Sequence, residues 1–173
     1  MWEKGLVHVY TGNGKGKTTA MLGLALRAVG AQRKVYIGQF VKSMGYSEVK
    51  AIEKFLPNIV IEQYGPGCFF DRKPTPEDVD VTARGLAKAV EAISSGKYDI
   101  VMLDEINVAI YLGLLEGEKV LEVIGEKPEH VELVLTGRHA PPEIIKAADL
   151  VSEINEIKHY YTAGVPSRMG IDV

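Results

Sequence analysis

A single cysteine, Cys68, rules out any disulfide within the 173-residue chain. No apolar run approaches the roughly 20 residues needed to cross a bilayer as a helix. Met1-Trp2-Glu3-Lys4 passes straight into a strand-like run, with no signal-peptide pattern, so the expected location is cytoplasmic and no membrane partner is implied. Lysines and arginines form no run and the net charge is −3, so a nucleic-acid partner is not indicated. The four histidines, at positions 8, 130, 139 and 159, are scattered. None stands at ligand spacing from another His, Cys or Glu, which argues against a structural zinc. There is no Gly-x-Ser-x-Gly turn of the serine-hydrolase kind, and no internal repeat, linker or low-complexity segment. What remains is a chain of ordinary globular composition whose length suits one domain over residues 1–173.

The stretch Tyr10-Thr11-Gly12-Asn13-Gly14-Lys15-Gly16-Lys17-Thr18-Thr19 stands between the apolar run Leu6–Tyr10 and the helix-like run Ala20–Leu26. Strand, glycine-rich turn and helix in this order form a phosphate cradle. Glycine permits the backbone conformations in which successive N–H groups face one anion, and the helix adds its unpaired N–H groups and positive dipole end. Lys17 adds a full charge, and the Thr18 hydroxyl is suited to a magnesium ion. The phosphate-binding set is therefore Gly12, Asn13, Gly14, Lys15, Gly16, Lys17, Thr18 and Thr19. The match to G-x-x-x-x-G-K-[ST] lacks its leading glycine, since that position is Thr11. The intact Gly-Lys-Thr end and its context nevertheless mark a nucleoside-triphosphate site of the P-loop kind.

Further along, the pattern predicts a helix from Lys17 to about Val29 stopped by Gly30, and a strand over Lys34–Val41 ending in a polar turn at Lys42-Ser43. A helix capped by Ser47 and a strand over Ile59–Gln63 follow. Periodicity is lost from Tyr64 to Lys73, where Phe69 and Phe70 either fold back on the core or wall a large flat ligand. Thr75-Pro76-Glu77-Asp78 is a helix start, with a capping hydroxyl, a proline and acids at the dipole's positive end. Asp99–Glu105 reads as an apolar strand ending in two acids. These either cap the helix that follows or, with the P-loop upstream, deliver a carboxylate to metal or water. The sequence does not choose between Asp104 and Glu105. Two short helices, Ile106–Leu112 and Glu116–Ile124, lead to a strand over His130–Thr136. This strand runs into Gly137-Arg138-His139, where Arg138 is either a phosphate contact or a surface cation. A helix from Pro141-Pro142 to Ala148 and a sixth strand near Leu150–Ile154 precede a tail with little periodicity. Alternating strands and helices predict an α/β chain with a mostly parallel sheet of about six strands flanked by helices.

Taken together, several stretches resemble the P-loop type of ATP:corrinoid adenosyltransferases, which act on substrates such as cob(I)alamin or cob(I)yrinic acid a,c-diamide. They are residues 11–19, Arg27-Ala28-Val29-Gly30, Gln39-Phe40-Val41-Lys42, Leu103-Asp104-Glu105-Ile106 and Leu135-Thr136-Gly137-Arg138. Ala148-Asp149-Leu150-Val151-Ser152-Glu153, Lys158-His159, Ala163-Gly164-Val165 and Met169-Gly170-Ile171-Asp172 complete the set. The resemblance covers nearly the whole chain in order, and the P-loop variant without its first glycine is part of the family pattern.

The resemblance implies a single-domain, recombinase-type P-loop NTPase fold and an enzyme that transfers the 5′-deoxyadenosyl group of ATP to the cobalt of a reduced corrinoid, releasing triphosphate, in adenosylcobalamin synthesis or salvage. It further implies ATP lying reversed in the P-loop, Mg2+ or Mn2+, a homodimer, and a reduced flavoprotein as electron donor. On this reading Lys17, Thr18 and Glu105 serve catalysis. Thr18 with Asp104 or Glu105 holds the metal, Arg138 meets phosphate, and Phe69 and Phe70 meet the corrinoid. The family's Gly-Phe-x-Trp loop reads Gly67-Cys68-Phe69-Phe70 in this chain. The residues ahead of the first strand are too few for the N-terminal extension that helps cover the corrinoid in many members. The alternative is a P-loop ATPase or small-molecule kinase with ATP in its ordinary orientation; the phosphate product separates the two.

Overall fold

The computed structural model describes residues 4–43, 45–65 and 72–172. In chain order the elements are β1 (Val7–Thr11), α1 (Lys17–Gly30), β2 (Val35–Phe40), α2 (Ser47–Phe55) and β3 (Ile59–Tyr64). They continue with α3 (Pro76–Ser94), β4 (Ile100–Asp104), α4 (Ile106–Tyr111), α5 (Gly117–Glu126), β5 (Glu132–Thr136), α6 (Pro142–Ala147) and β6 (Leu150–Glu153). A 3-10 turn over Tyr160–Ala163 lies in the tail. The six strands form one sheet in the order β3-β2-β4-β5-β1-β6, and every adjacent pair is parallel. The alternation of elements implies this parallel α/β sheet, and the fold is P-loop NTPase-like, as the resemblance implies.

The central strands read as nearly unbroken apolar runs because both faces of the sheet are covered. Side chains still alternate. Val35 and Ile37 of β2, Ile100 and Met102 of β4 and Val134 of β5 join Met21, Ala25 and Ala28 of α1 and Ile52 of α2 on one face. Tyr36 and Phe40, Val101 and Leu103, and Leu133 and Leu135 point the other way, onto Leu86, Ala89 and Ile93 of α3, Ile106 of α4, Val120 of α5 and Ile144 of α6. Truncating a fully buried residue such as Leu133 to alanine costs about 2–5 kcal/mol, depending on how far the cavity collapses.

Because the strands are parallel, their carboxyl ends share one edge. Helix α1 leaves β1 towards one face, while α4 and α6 leave β4 and β5 towards the other. A crevice between strand ends at such a divergence is where open parallel sheets bind ligands.

Some local expectations shift. Thr75 caps α3 as its sequence predicts: its Oγ1 accepts from the Asp78 N–H at 3.4 Å, and Asp78 accepts from the Thr75 N–H at 2.7 Å. Ser47 is instead the first residue of α2, with Tyr46 in the cap position and no side-chain cap bond. Gly30 is the last residue of α1, and the left-handed residue that follows is Gln32, at φ 60°. The fifth strand begins at Glu132 rather than His130, because the Val131 N–H turns back to the Pro128 carbonyl. Gly125 lies inside α5, which runs to Glu126.

Candidate active site

The glycines of the loop between β1 and α1 do different jobs. Gly12 (φ 92°) and Gly14 lie against the chain leaving β6: a Cβ on Gly12 would sit 2.5 Å from the Ile154 carbonyl oxygen, and one on Gly14 2.8 Å from backbone atoms of Ile154 and Asn155. The Gly14 N–H donates to the Ile154 carbonyl at 2.7 Å. Gly16 has open space around its Cα but adopts φ 124°, a value suited to glycine, as it caps α1 without a side-chain bond. Thr11, where the motif usually has glycine, is still in β1 and pairs with Glu153 of β6, so no special backbone conformation is required there.

Lys17 is buried and folds under the loop, its Nζ donating to the Gly12 and Gly14 carbonyls at 2.7 Å each. Burial pulls its pKa below the usual lysine value, against the attraction of Glu105. The Thr18 hydroxyl donates to Asp104 at 2.9 Å. Asp104, at the end of β4, is fully buried and is the hub of a polar rung across the sheet. It accepts from Gln39 of β2 at 3.1 Å, from the Thr136 hydroxyl of β5 at 2.7 Å and from Lys42 at 2.8 Å. Gln39 in turn accepts from Gln63 of β3 at 2.9 Å. The parallel register that sets Gln39 beside both Gln63 and Asp104 produces this row. A buried carboxylate needs such donors to offset its desolvation.

The adjacent acid has a different place. Glu105 caps α4 in a left-handed conformation (φ 60°, ψ 20°), and its N–H donates to the Thr136 hydroxyl at 3.0 Å. That conformation is costly for a residue other than glycine and recurs at functional sites. It brings the Glu105 side chain to the wall of a cavity of about 720 Å³ at the carboxyl edge of the sheet. Burial raises the Glu105 pKa, reinforced by the Asp104 charge and opposed by Lys42, Lys17 and Arg138. The structure thus separates two acids that the sequence leaves equivalent: Glu105 faces the cavity, whereas Asp104 lies beneath it and holds Thr18.

Gly14, Lys15, Gly16, Lys17, Thr18 and Thr19 also line the cavity, and Arg138 reaches it from the end of β5. Gly12 and Asn13 are not among its lining residues; Gly12 acts through its carbonyl on Lys17. Phe69 and Phe70 lie outside the described residues.

Lys42 belongs to the site; its sequence gives it a polar turn and a place in the Gln39-Phe40-Val41-Lys42 stretch of the resemblance, but no role. Its Nζ sits 3.1 Å from the Thr18 hydroxyl and 2.8 Å from Asp104, so a cation already fills the position between these two oxygens. Burial would lower its pKa, but Asp104, helped by Glu105 and Glu48, offsets this and holds the ammonium above its ordinary value. The signal was the polar residue at the end of β2, on the same sheet edge as the loop. The tail supplies a further wall through His159, Tyr160, Tyr161, Val165, Ile171 and Asp172. Its stretches at 158–159, 163–165 and 169–172 carry the family resemblance, but without periodicity they fix no position for these side chains.

A glycine-rich loop at the start of a helix, backed by a strand-end carboxylate bonded to its threonine, is the arrangement of a P-loop NTPase-like fold. Residues 3–173 match the model of the ATP:corrinoid adenosyltransferase BtuR/CobO/CobP family, and the chain belongs to that family. It is 33% identical over 171 residues to the corrinoid adenosyltransferase of Escherichia coli strain K12, covering 98% of this chain and 86% of that protein. It is 32% identical over 171 residues to the corrinoid adenosyltransferase of Pseudomonas aeruginosa, covering 98% and 84% of the two chains. A similar match, 32% over 171 residues and 98% and 86% of the chains, joins it to the corrinoid adenosyltransferase CobA of Salmonella typhimurium.

Proposed function

We propose that this enzyme moves the 5′-deoxyadenosyl group of ATP onto the cobalt of a reduced corrinoid and releases inorganic triphosphate, in adenosylcobalamin synthesis or salvage. Beyond family membership, the observation that carries this reading is the gathering of Lys17, Lys42 and Arg138 around the N-terminal end of α1, in a cavity sized for a nucleotide. Cobalt(I) is an intrinsically strong nucleophile and needs no base. Its electron pair forms the Co–C5′ bond, the C5′–O bond breaks with its pair going to triphosphate, and cobalt is oxidised from +1 to +3. The protein's task is then to hold C5′ in line and stabilise the departing oxygens. The loop N–H groups and the three cations perform the second part. ATP lies reversed, with its triphosphate on α1 and C5′ towards the cavity mouth. The corrinoid docks at that mouth, since a cavity of about 720 Å³ suits the nucleotide alone.

Among the described residues no cluster of three or more His, Cys, Asp or Glu side chains could hold a metal ion by itself. Magnesium typically takes one or two carboxylates and completes its shell with water and substrate phosphates. The Thr18 hydroxyl and the Glu105 carboxylate fit that habit, with Asp104 orienting Thr18 from beneath. Bound with ATP, Mg2+ or Mn2+ would neutralise charge on the triphosphate. A homodimer, a reduced flavoprotein donor and a cytoplasmic setting complete the proposal. No helix among the described residues is long and apolar enough to cross a membrane.

The test is to mix the protein with ATP, magnesium and a corrinoid reduced chemically to Co(I). A light-sensitive organocobalt product is expected. Consumption of ATP without a new Co–C bond would refute the proposal in favour of an ATPase.

A further inference from the structure

The tail is tied to the phosphate loop by a specific contact. The Nζ of Lys15, the first lysine of the loop, donates to the Ile171 carbonyl at 3.1 Å and stands 3.2 Å from the Asp172 carboxylate. Asp172, with only 12% of its side chain exposed, also accepts from the Tyr160 hydroxyl, from the Arg168 N–H at 3.1 Å and from Arg168 Nε at 3.4 Å. One carboxylate therefore closes residues 160–172 into a loop and fastens that loop to Lys15. Ring contacts stiffen it further: the Arg168 guanidinium lies 4.7 Å from the centre of the Tyr160 ring, and His159 packs on the same ring at 4.6 Å. Tyr161, whose N–H donates to His159 Nδ1, lines the cavity and is 74% exposed.

Charge and ring surface are thus segregated. Lys17, Lys42 and Arg138 come from the strand ends and the P-loop, whereas the tail brings aromatic and apolar surface to the same cavity. We propose that residues 158–172 are the nucleoside-side wall of the cavity, that Tyr161 is the surface on which the adenine stacks, and that the Lys15–Asp172 pair is the latch holding this wall on the phosphate loop. Lys15 is then a positioning residue and not a phosphate ligand. The inference rests on the proposed function for the identity of the nucleotide.

The experiment compares two ligands, ATP and inorganic tripolyphosphate, both with magnesium, by calorimetric titration of the full chain. The parent binds ATP more tightly than tripolyphosphate, because the wall acts on the nucleoside. Tyr161→Ala weakens ATP by roughly tenfold, in line with base–aromatic stacking. It leaves tripolyphosphate within about twofold, the margin set by ordinary non-additivity between separate sites. Asp172→Ala gives the same split, the Lys15→Met/Asp172→Ala double substitution, which removes both charges together, is no worse for ATP than Asp172→Ala alone, and Lys15→Arg retains ATP affinity. Unchanged tripolyphosphate binding also shows that each variant is folded.

Four results overturn the inference. In the first, Asp172→Ala or Tyr161→Ala weakens both ligands in parallel. In the second, Lys15→Met weakens tripolyphosphate while Asp172→Ala is silent, which makes Lys15 a phosphate ligand. In the third, the parent binds the two ligands equally. A parent that binds neither ligand overturns the nucleotide site itself, and this inference with it. A parent that binds both but makes no organocobalt product overturns only the adenosyl transfer.

Discussion

Replacing Asp104 separates the support of the site from its chemistry. The carboxylate is fully buried and takes hydrogen bonds from Thr18, Gln39, Thr136 and Lys42. Asp104→Ala strips all four donors of their acceptor and leaves the largely buried Lys42 ammonium without its carboxylate, a change worth about 3–5 kcal/mol. Asp104→Asn is milder. Its carbonyl can face Lys42 and Gln39 while its amide donates to the two threonine hydroxyls, which rotate to accept. What goes is the charge, so each of these bonds falls from about 1.5–3 kcal/mol towards the value of a neutral one, about 0.5–1.5 kcal/mol. Domains of this kind are typically stable by about 5–15 kcal/mol, so both losses are measurable. Urea denaturation followed by far-UV circular dichroism, without nucleotide, should give midpoints in the order parent, Asn, Ala, with unchanged slopes. If both variants unfolded with the parent, the rung across the sheet would not be a supporting element and this energetic account would fail.

Lys17→Ala should lower turnover at saturating ATP by well over tenfold (~1.4 kcal/mol), since a departing triphosphate loses a buried cation; a smaller loss would assign the leaving-group role elsewhere. Glu105→Gln should raise the magnesium concentration needed for half-maximal ATP binding while leaving the urea midpoint close to the parent's. An unchanged magnesium titration would reduce Glu105 to a helix cap. The Arg72 guanidinium, followed by the Thr75 bonds, holds the Asp78 carboxyl well below the usual carboxylate range. Its folded pKa is depressed, so its contribution is complete above the ordinary value of about 3.9 and is lost as pH falls towards the folded one. Asp78→Asn should therefore lower Tm at pH 7, and the gap to the parent should close below about pH 4. A gap that stays constant with pH would mean the charge is not what matters.

The sheet was legible because each strand is short, apolar and bounded by turns, and because its alternation with helices leaves few topologies. The loop at 11–19 announced itself through glycine and lysine at fixed spacing, yet its details were not in the motif. That Gly12 and Gly14 admit Ile154, while Gly16 supplies a backbone angle, depends on where β6 ends. Asp104 and Glu105 looked alike in sequence. They parted only because β4 carries Asp104 into the layer beneath the cavity and a left-handed Glu105 turns back towards it. Lys42 and the tail, both within stretches that carry the resemblance, had no role legible in the sequence for a related reason. Lys42 gains its role from the register of β2 with β4, and the tail is held by side-chain bonds converging on Asp172, which leave no periodic trace.

The phosphate product tests the central claim most directly. With chemically generated Co(I) corrinoid and ATP in single-turnover amounts, phosphorus NMR should show one inorganic triphosphate for each cobalt–carbon bond formed, and no orthophosphate beyond slow background hydrolysis. Orthophosphate and ADP appearing at the rate of ATP loss would contradict the account and place the γ-phosphate, not C5′, at the reacting end.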